Sequence, residues 1–225
     1  MKQPLWKKIL SYFHEFHIEN TSSPFNPTLD VCLRSGRYLL KTPNVIYSFG
    51  DLYDNFFKAF EQINLGKNEP KSVLLLGFGL GSIPYMLEKK FHKKYAYTAV
   101  EIDEVVIHLA KKYVTDELRS PIEFVCADAA QYVSQSGRKF DMICMDVFLD
   151  HLVPSQMEQT LFLEGLAKRL QPQTGILLYN RLTATDVEKR YTQHFFQKIF
   201  QQTFPEATFL DVDGNWILTN RPLRA

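Results

Sequence analysis

Ser72-Val-Leu-Leu-Leu-Gly-Phe-Gly-Leu-Gly-Ser82 decides the fold of this 225-residue chain. Its first five residues read as a short buried strand, and the turn after them carries glycine at 77, 79 and 81. Glycine adopts positive φ without a Cβ penalty and lets backbone approach a ligand closely. A helical pattern follows at once, so the turn reads as a nucleotide-binding loop. A bare glycine turn between strand and helix can also be a packing device only, so its context carries the reading.

Working downstream, strand-like runs at 95–100, 121–125 and 140–146 follow the one at 72–76, with helical patterns near 82–92 and 104–114. Strands alternating with helices predict parallel pairing, right-handed crossovers and ligands at the carboxyl ends of the strands. A helix around 155–170, a strand at 175–180, a helix near 185–202 and strands at 206–211 and 215–219 complete the pattern. The Asp-Gly within Asp211-Val-Asp-Gly-Asn215 favours a tight reversal, so the sheet is expected to end in an antiparallel hairpin.

Upstream, Leu5, Trp6, Ile9, Leu10, Phe13, Phe16 and Ile18 fit an amphipathic helix over 4–19 that packs on something larger. Between Leu29 and Phe49, short apolar runs separated by Ser35-Gly36 and Thr42-Pro43-Asn44 predict a small antiparallel hairpin or meander. Leu52 to Ile63 reads as an aromatic helix ending near Leu65-Gly66, whose stripe suits core better than a ligand cage. The polar linker Lys67-Asn-Glu-Pro-Lys71 divides an N-terminal part, 1–66, from a Rossmann-like α/β domain, 67–225.

A net charge of +1 with 23% charged residues gives no global field for gathering nucleic acid or anionic membrane. Cys32, Cys126 and Cys144 are scattered without Cys-x-x-Cys spacing, which suits a reducing, cytoplasmic setting. The N-terminus lacks an apolar leader-like run, and no stretch approaches membrane-spanning length. Six dispersed histidines, with His14 and His17 lacking partner spacing, give no case for a metal site.

Two further strand ends carry acids. In Ala99-Val-Glu-Ile-Asp103, Glu101 lies twenty residues beyond Gly81, the position from which a carboxylate accepts hydrogen bonds from both ribose hydroxyls. Asp103 is equally suited to ligand or to capping the next helix. In Val125-Cys-Ala-Asp-Ala129, Asp128 could meet an adenine amino group or cap the helix that follows.

These three strand ends, in this order, resemble class I S-adenosylmethionine-dependent transferases. Tyr97-Thr-Ala-Val-Glu-Ile-Asp-Glu-Val-Val-Ile107, followed by Lys111-Lys112-Tyr113, is similar to the second-strand motif of the spermidine synthase branch. The resemblance spans roughly residues 37 to 180. It implies a Rossmann-like, mostly parallel sheet behind a small N-terminal β-domain, binding S-adenosylmethionine or its decarboxylated form. Gly77, Gly79 and Gly81 would border the methionine part, Glu101 the ribose, and Asp128 with Ala129 the adenine, with Ile102 and Asp146 also among the cofactor-binding residues. A homodimer is the implied assembly, with the aromatic N-terminal segments as interface or simply as cover for the sheet edge.

The chain also departs from that branch. Leu80 replaces an acidic residue of the glycine loop, implying a missing polar contact to the ligand. In Asp146-Val-Phe-Leu-Asp-His-Leu-Val-Pro154, Asp146 matches the first acid of an Asp-x-x-Asp signature, but Leu149 stands at the second and Asp150 comes one residue late. Tyr53-Asp54 and Asp51 are imperfect counterparts of the branch's Tyr-His-Glu stretch. Asp146 and Asp150, with Tyr53, are the catalytic candidates; Asp51 and Asp54 are further carboxylates for an amine, and His151 is a candidate base or a solvated loop residue. Methyl transfer to a small-molecule acceptor is favoured over aminopropyl transfer to an amine, because it needs fewer carboxylates. An NAD-dependent oxidoreductase and a non-catalytic nucleoside-binding scaffold are the competing classes.

Overall fold

The structure, a computed structural model, describes residues 3–43, 45–63, 65, 71–149, 152–212 and 214–222. A short helix α1 (Leu5–Leu10) precedes an antiparallel sheet of β1 (Phe16–Thr21), β2 (Leu29–Arg34), β3 (Arg37–Lys41) and β4 (Ile46–Ser48), in that spatial order. Helix α2 (Asp54–Gln62) follows. Then come β5 (Ser72–Leu76), α3 (Ser82–Lys89), β6 (Ala96–Glu101), α4 (Glu104–Tyr113), β7 (Ile122–Cys126), α5 (Ala129–Gln135), β8 (Met142–Met145), α6 (Thr160–Arg169) and β9 (Ile176–Leu182). Helix α7 (Asp186–Phe195), extended by a wider turn at Phe196–Phe200, leads to β10 (Thr208–Asp211) and β11 (Asn215–Thr219).

The second sheet runs β10-β11-β9-β8-β5-β6-β7. The β9-β8-β5-β6-β7 stretch is parallel, while β11 pairs antiparallel with both β9 and β10, as the Asp-Gly reversal predicts. The reason is legible in β5. Its side chains alternate between two cores, Val73 and Leu75 packing with the N-terminal sheet, α2, α3 and α4, and Leu74 and Leu76 packing with α5, α6 and α7. A strand apolar on both faces must be covered on both sides.

One expectation fails. The helix placed over 4–19 stops at Leu10, and Phe16–Thr21 is instead the edge strand β1, paired with β2. Phe16 and Ile18 alternate with exposed His17, a period of two, and only those two pack on the core. The apolar residues of α1 do not pack as expected; Leu5 and Trp6 are 74% and 60% exposed. Among the described residues no helix is long and apolar enough to cross a membrane, and all three cysteines are free.

Candidate functional site

A cavity of about 440 Å³ opens at the carboxyl ends of β5, β6, β7, β8 and β9, roofed by the N-terminal sheet and the segment before β2. It sits where strand order reverses, with β5 between β6 and β8, the place at which parallel α/β sheets leave a crevice.

The glycine loop shapes its floor. Gly77 takes φ +81°, and a Cβ there would overlap the carbonyl oxygen of Asp146. Gly79, at φ +54°, lies under Tyr47 and Ser48 of β4. Gly77→Ala is therefore expected to destabilise the fold by about 1–3 kcal/mol through backbone strain alone, before the overlap is counted. An unchanged melting temperature would contradict this account of the β5–β8 approach. Gly77 and Gly79 line the cavity; Gly81 does not, and serves as the αL residue that starts α3.

Glu101 faces the cavity from the end of β6, and its carboxylate braces the loop. Oε2 accepts from the backbone N–H of Phe78 at 3.0 Å and Gly79 at 3.4 Å, and Oε1 from that of Asp103 at 3.2 Å. Burial raises its pKa, against the lowering effect of those three amides. Asp103 caps the next helix and also lines the cavity. Oδ1 caps α4 through Val105 N–H at 3.0 Å, while Oδ2 accepts from Ser23 Oγ and Asn26 Nδ2. Asn26 in turn accepts from the Tyr47 hydroxyl at 2.9 Å, so Asp103 ties the roof segment to the Rossmann sheet.

Asp128 also caps a helix, accepting from Gln131 N–H at 2.8 Å, while its other oxygen accepts from Gln156 Nε2 at 2.9 Å. Asp128, Ala129 and Ile102 all line the cavity. Asp146, at the end of β8, accepts from Asn180 Nδ2 at 2.8 Å and, in a longer contact of 3.4 Å, from the Tyr53 hydroxyl. Asn215 Nδ2 donates to Asn180 Oδ1 at 2.9 Å, which fixes the Asn180 amide with its NH₂ toward Asp146. Burial pushes the Asp146 carboxyl up to about 6, only partly offset by these two donors. Burial and the nearby carboxylate push Tyr53 well above its usual range, so its hydroxyl stays a donor.

The other candidates lie outside the cavity lining or outside the described residues. Asp51 is buried in ion pairs with Arg37 and Lys90 and does not line the cavity. Asp54 is exposed at the start of α2, also outside the lining. Asp150 and His151 lie outside the described residues. Leu80 is 2% exposed and lies beside Arg37, Tyr38 and Tyr85, outside the cavity lining. The sequence reading missed Asn26, Gln156, Asn180 and Asn215. For Asn180 one signal was present, an amide directly after the apolar run Ile176 to Tyr179.

A methyltransferase-domain family profile matches residues 73–175. A probable polyamine aminopropyl transferase of Bifidobacterium longum is 30% identical over 115 residues, covering 51% of this chain and 25% of that protein. A malonyl-[acyl-carrier protein] O-methyltransferase of Priestia megaterium is 28% identical over 151 residues, 65% of this chain and 51% of that one. The chain thus spans a quarter to about half the length of these curated relatives. The crystal structure of spermidine synthase from Thermotoga maritima superposes with a TM-score of 0.66 at 19% identity, over 91% of this chain and 72% of that one.

Proposed function

From the spermidine synthase-like form of the S-adenosylmethionine-dependent methyltransferase fold that this chain carries, we propose that it is a transferase using an adenosyl sulfonium nucleoside. One observation carries the reading: Glu101, Asp128 and Asp146 stand at the ends of three strands around one cavity closed by the glycine loop. Glu101 takes the ribose hydroxyls, Asp128 and Ala129 the adenine edge, Ile102 the nucleoside's apolar flank, and Gly77 and Gly79 the sulfonium arm. When bound, the nucleoside supplies a carbon made electrophilic by positively charged sulfur. Asp146 then receives the proton of the attacking nucleophile, and Tyr53 and Asn180 hold its carboxylate in place.

The charge of the lining bears on which group moves. Glu101, Asp103, Asp128 and Asp146 line the cavity, and no lysine, arginine or histidine does among the described residues. An amino-acid carboxylate on the nucleoside would meet no cation there, whereas the decarboxylated form brings positive charge only. This favours decarboxylated S-adenosylmethionine and aminopropyl transfer, in line with the aminopropyl transferase relative. Methyl transfer stays as the second reading on the methyltransferase-domain match and the O-methyltransferase relative. Chromatography of reactions with each nucleoside and an amine panel separates them. Methylthioadenosine release supports aminopropyl transfer, S-adenosylhomocysteine release supports methyl transfer, and neither product would leave only nucleoside binding.

A homodimer in a cytoplasmic setting belongs to the same proposal, supported by the exposed apolar residues of α1 and the free cysteines. A sedimenting species of 26.2 kDa alone would remove the dimer, and recovery of the chain in an exported fraction would remove the location.

A further inference from the structure

Resting on that reading, we infer that Gln156 selects the base, its side-chain carbonyl oxygen accepting from the exocyclic amino group of adenine beside Asp128. Gln156 lines the cavity and donates from Nε2 to Asp128 Oδ2 at 2.9 Å. A carboxylate accepts only, so this bond fixes which end of the amide faces Asp128 and leaves Oε1 on the other side of the amide carbon. Asp128 is itself held in place, its Oδ1 accepting from Gln131 N–H at 2.8 Å at the start of α5.

The backbone that carries Gln156 is anchored to the core. Ser155–Glu158 is one turn of 3₁₀ helix, and Met157 within it is 2% exposed. From β9, the Tyr179 hydroxyl donates to the Met157 carbonyl oxygen at 3.1 Å, and Arg181 pairs with Glu158 Oε1. Arg181 is 3% exposed and lies over the Phe195 ring at 4.4 Å, while Tyr191, also on α7, donates to Glu158 Oε2 at 2.6 Å. A buried arginine spent on a turn at the cavity wall holds that wall to one geometry, as a recognition contact requires. Tyr179, Arg181 and Glu158 are positioning residues, and Gln156 is the side chain that meets the ligand.

The adenine edge explains why two acceptors stand side by side. Its planar amino group carries two hydrogens that point apart, and one acceptor satisfies one of them. Asp128 takes the first and Gln156 Oε1 the second. A single methyl group on the exocyclic nitrogen would remove one of those hydrogens and leave an acceptor facing hydrocarbon.

Calorimetry with methylthioadenosine and with its derivative monomethylated on the exocyclic nitrogen tests this, on the unaltered protein and on Gln156→Met. The unaltered protein is expected to bind the methylated derivative about fivefold more weakly or worse. Gln156 is exposed, so the position tolerates change, and methionine keeps the bulk while losing the acceptor. The gap is therefore expected to shrink to about twofold in Gln156→Met. Equal binding of the two ligands by the unaltered protein would overturn the inference. So would an unchanged gap in Gln156→Met, which would mark a steric limit in place of a hydrogen bond. Failure of methylthioadenosine itself to bind would instead sink the transferase reading on which the inference rests.

Discussion

Replacing Glu101 with alanine is expected to weaken binding of methylthioadenosine by about 100-fold or more. A carboxylate that accepts from two ribose hydroxyls makes charge-assisted bonds of about 1.5–3 kcal/mol each, and each 1.4 kcal/mol is about a factor of ten. The same substitution also strips the acceptor from the Phe78, Gly79 and Asp103 amides, so some thermal stability should go with it. Affinity is therefore to be measured below the melting transition of the variant. A folded Glu101→Ala protein that binds the nucleoside as before would remove the ribose assignment.

The second large effect is at Asp146. Asp146→Asn keeps the shape and loses the proton acceptor, so turnover should fall by about 100-fold or more while nucleoside affinity changes by less than about tenfold. Because burial holds the Asp146 carboxyl at about 6, turnover of the unaltered protein should rise with pH through that value as the carboxylate forms. Stability moves the other way. A carboxyl whose folded pKa lies above its usual 3.8 binds more protons folded than unfolded between the two values, so its contribution to stability falls as pH rises from about 4 to about 6. The asparagine variant lacks this loss and should melt no lower than the parent at pH 7. An unaltered rate, or a rate falling through pH 6, would take Asp146 out of the mechanism.

The parts of the molecule readable from sequence are those with a local signature. β5 and its glycine turn are bounded as expected because a two-sided apolar strand and positive-φ glycines leave little choice. Glu101 and Asp128 follow at the ends of the next two strands by the same grammar. The Asn215–Asn180–Asp146 series is different in kind. Its members are 35 and 34 residues apart and meet only because β11 inserts antiparallel beside β9, itself beside β8, and no spacing in the chain announces that. Residues 16–21 were misread for the opposite reason. Phe13, Phe16 and Ile18 satisfy a helical spacing well enough to hide the shorter period, and the pairing of β1 with β2 decides between them. Leu80 shows a third limit, since the sequence gives its place in the loop but not that it lies outside the cavity lining.

The central claim is that this cavity is a cradle for an adenosyl sulfonium nucleoside. Its most direct test is isothermal titration of the intact protein with decarboxylated S-adenosylmethionine, S-adenosylmethionine, methylthioadenosine and NAD. Saturable binding of the adenosyl thioether and sulfonium ligands, tightest for the decarboxylated form and absent for NAD, is the predicted result. Binding of NAD alone would contradict it.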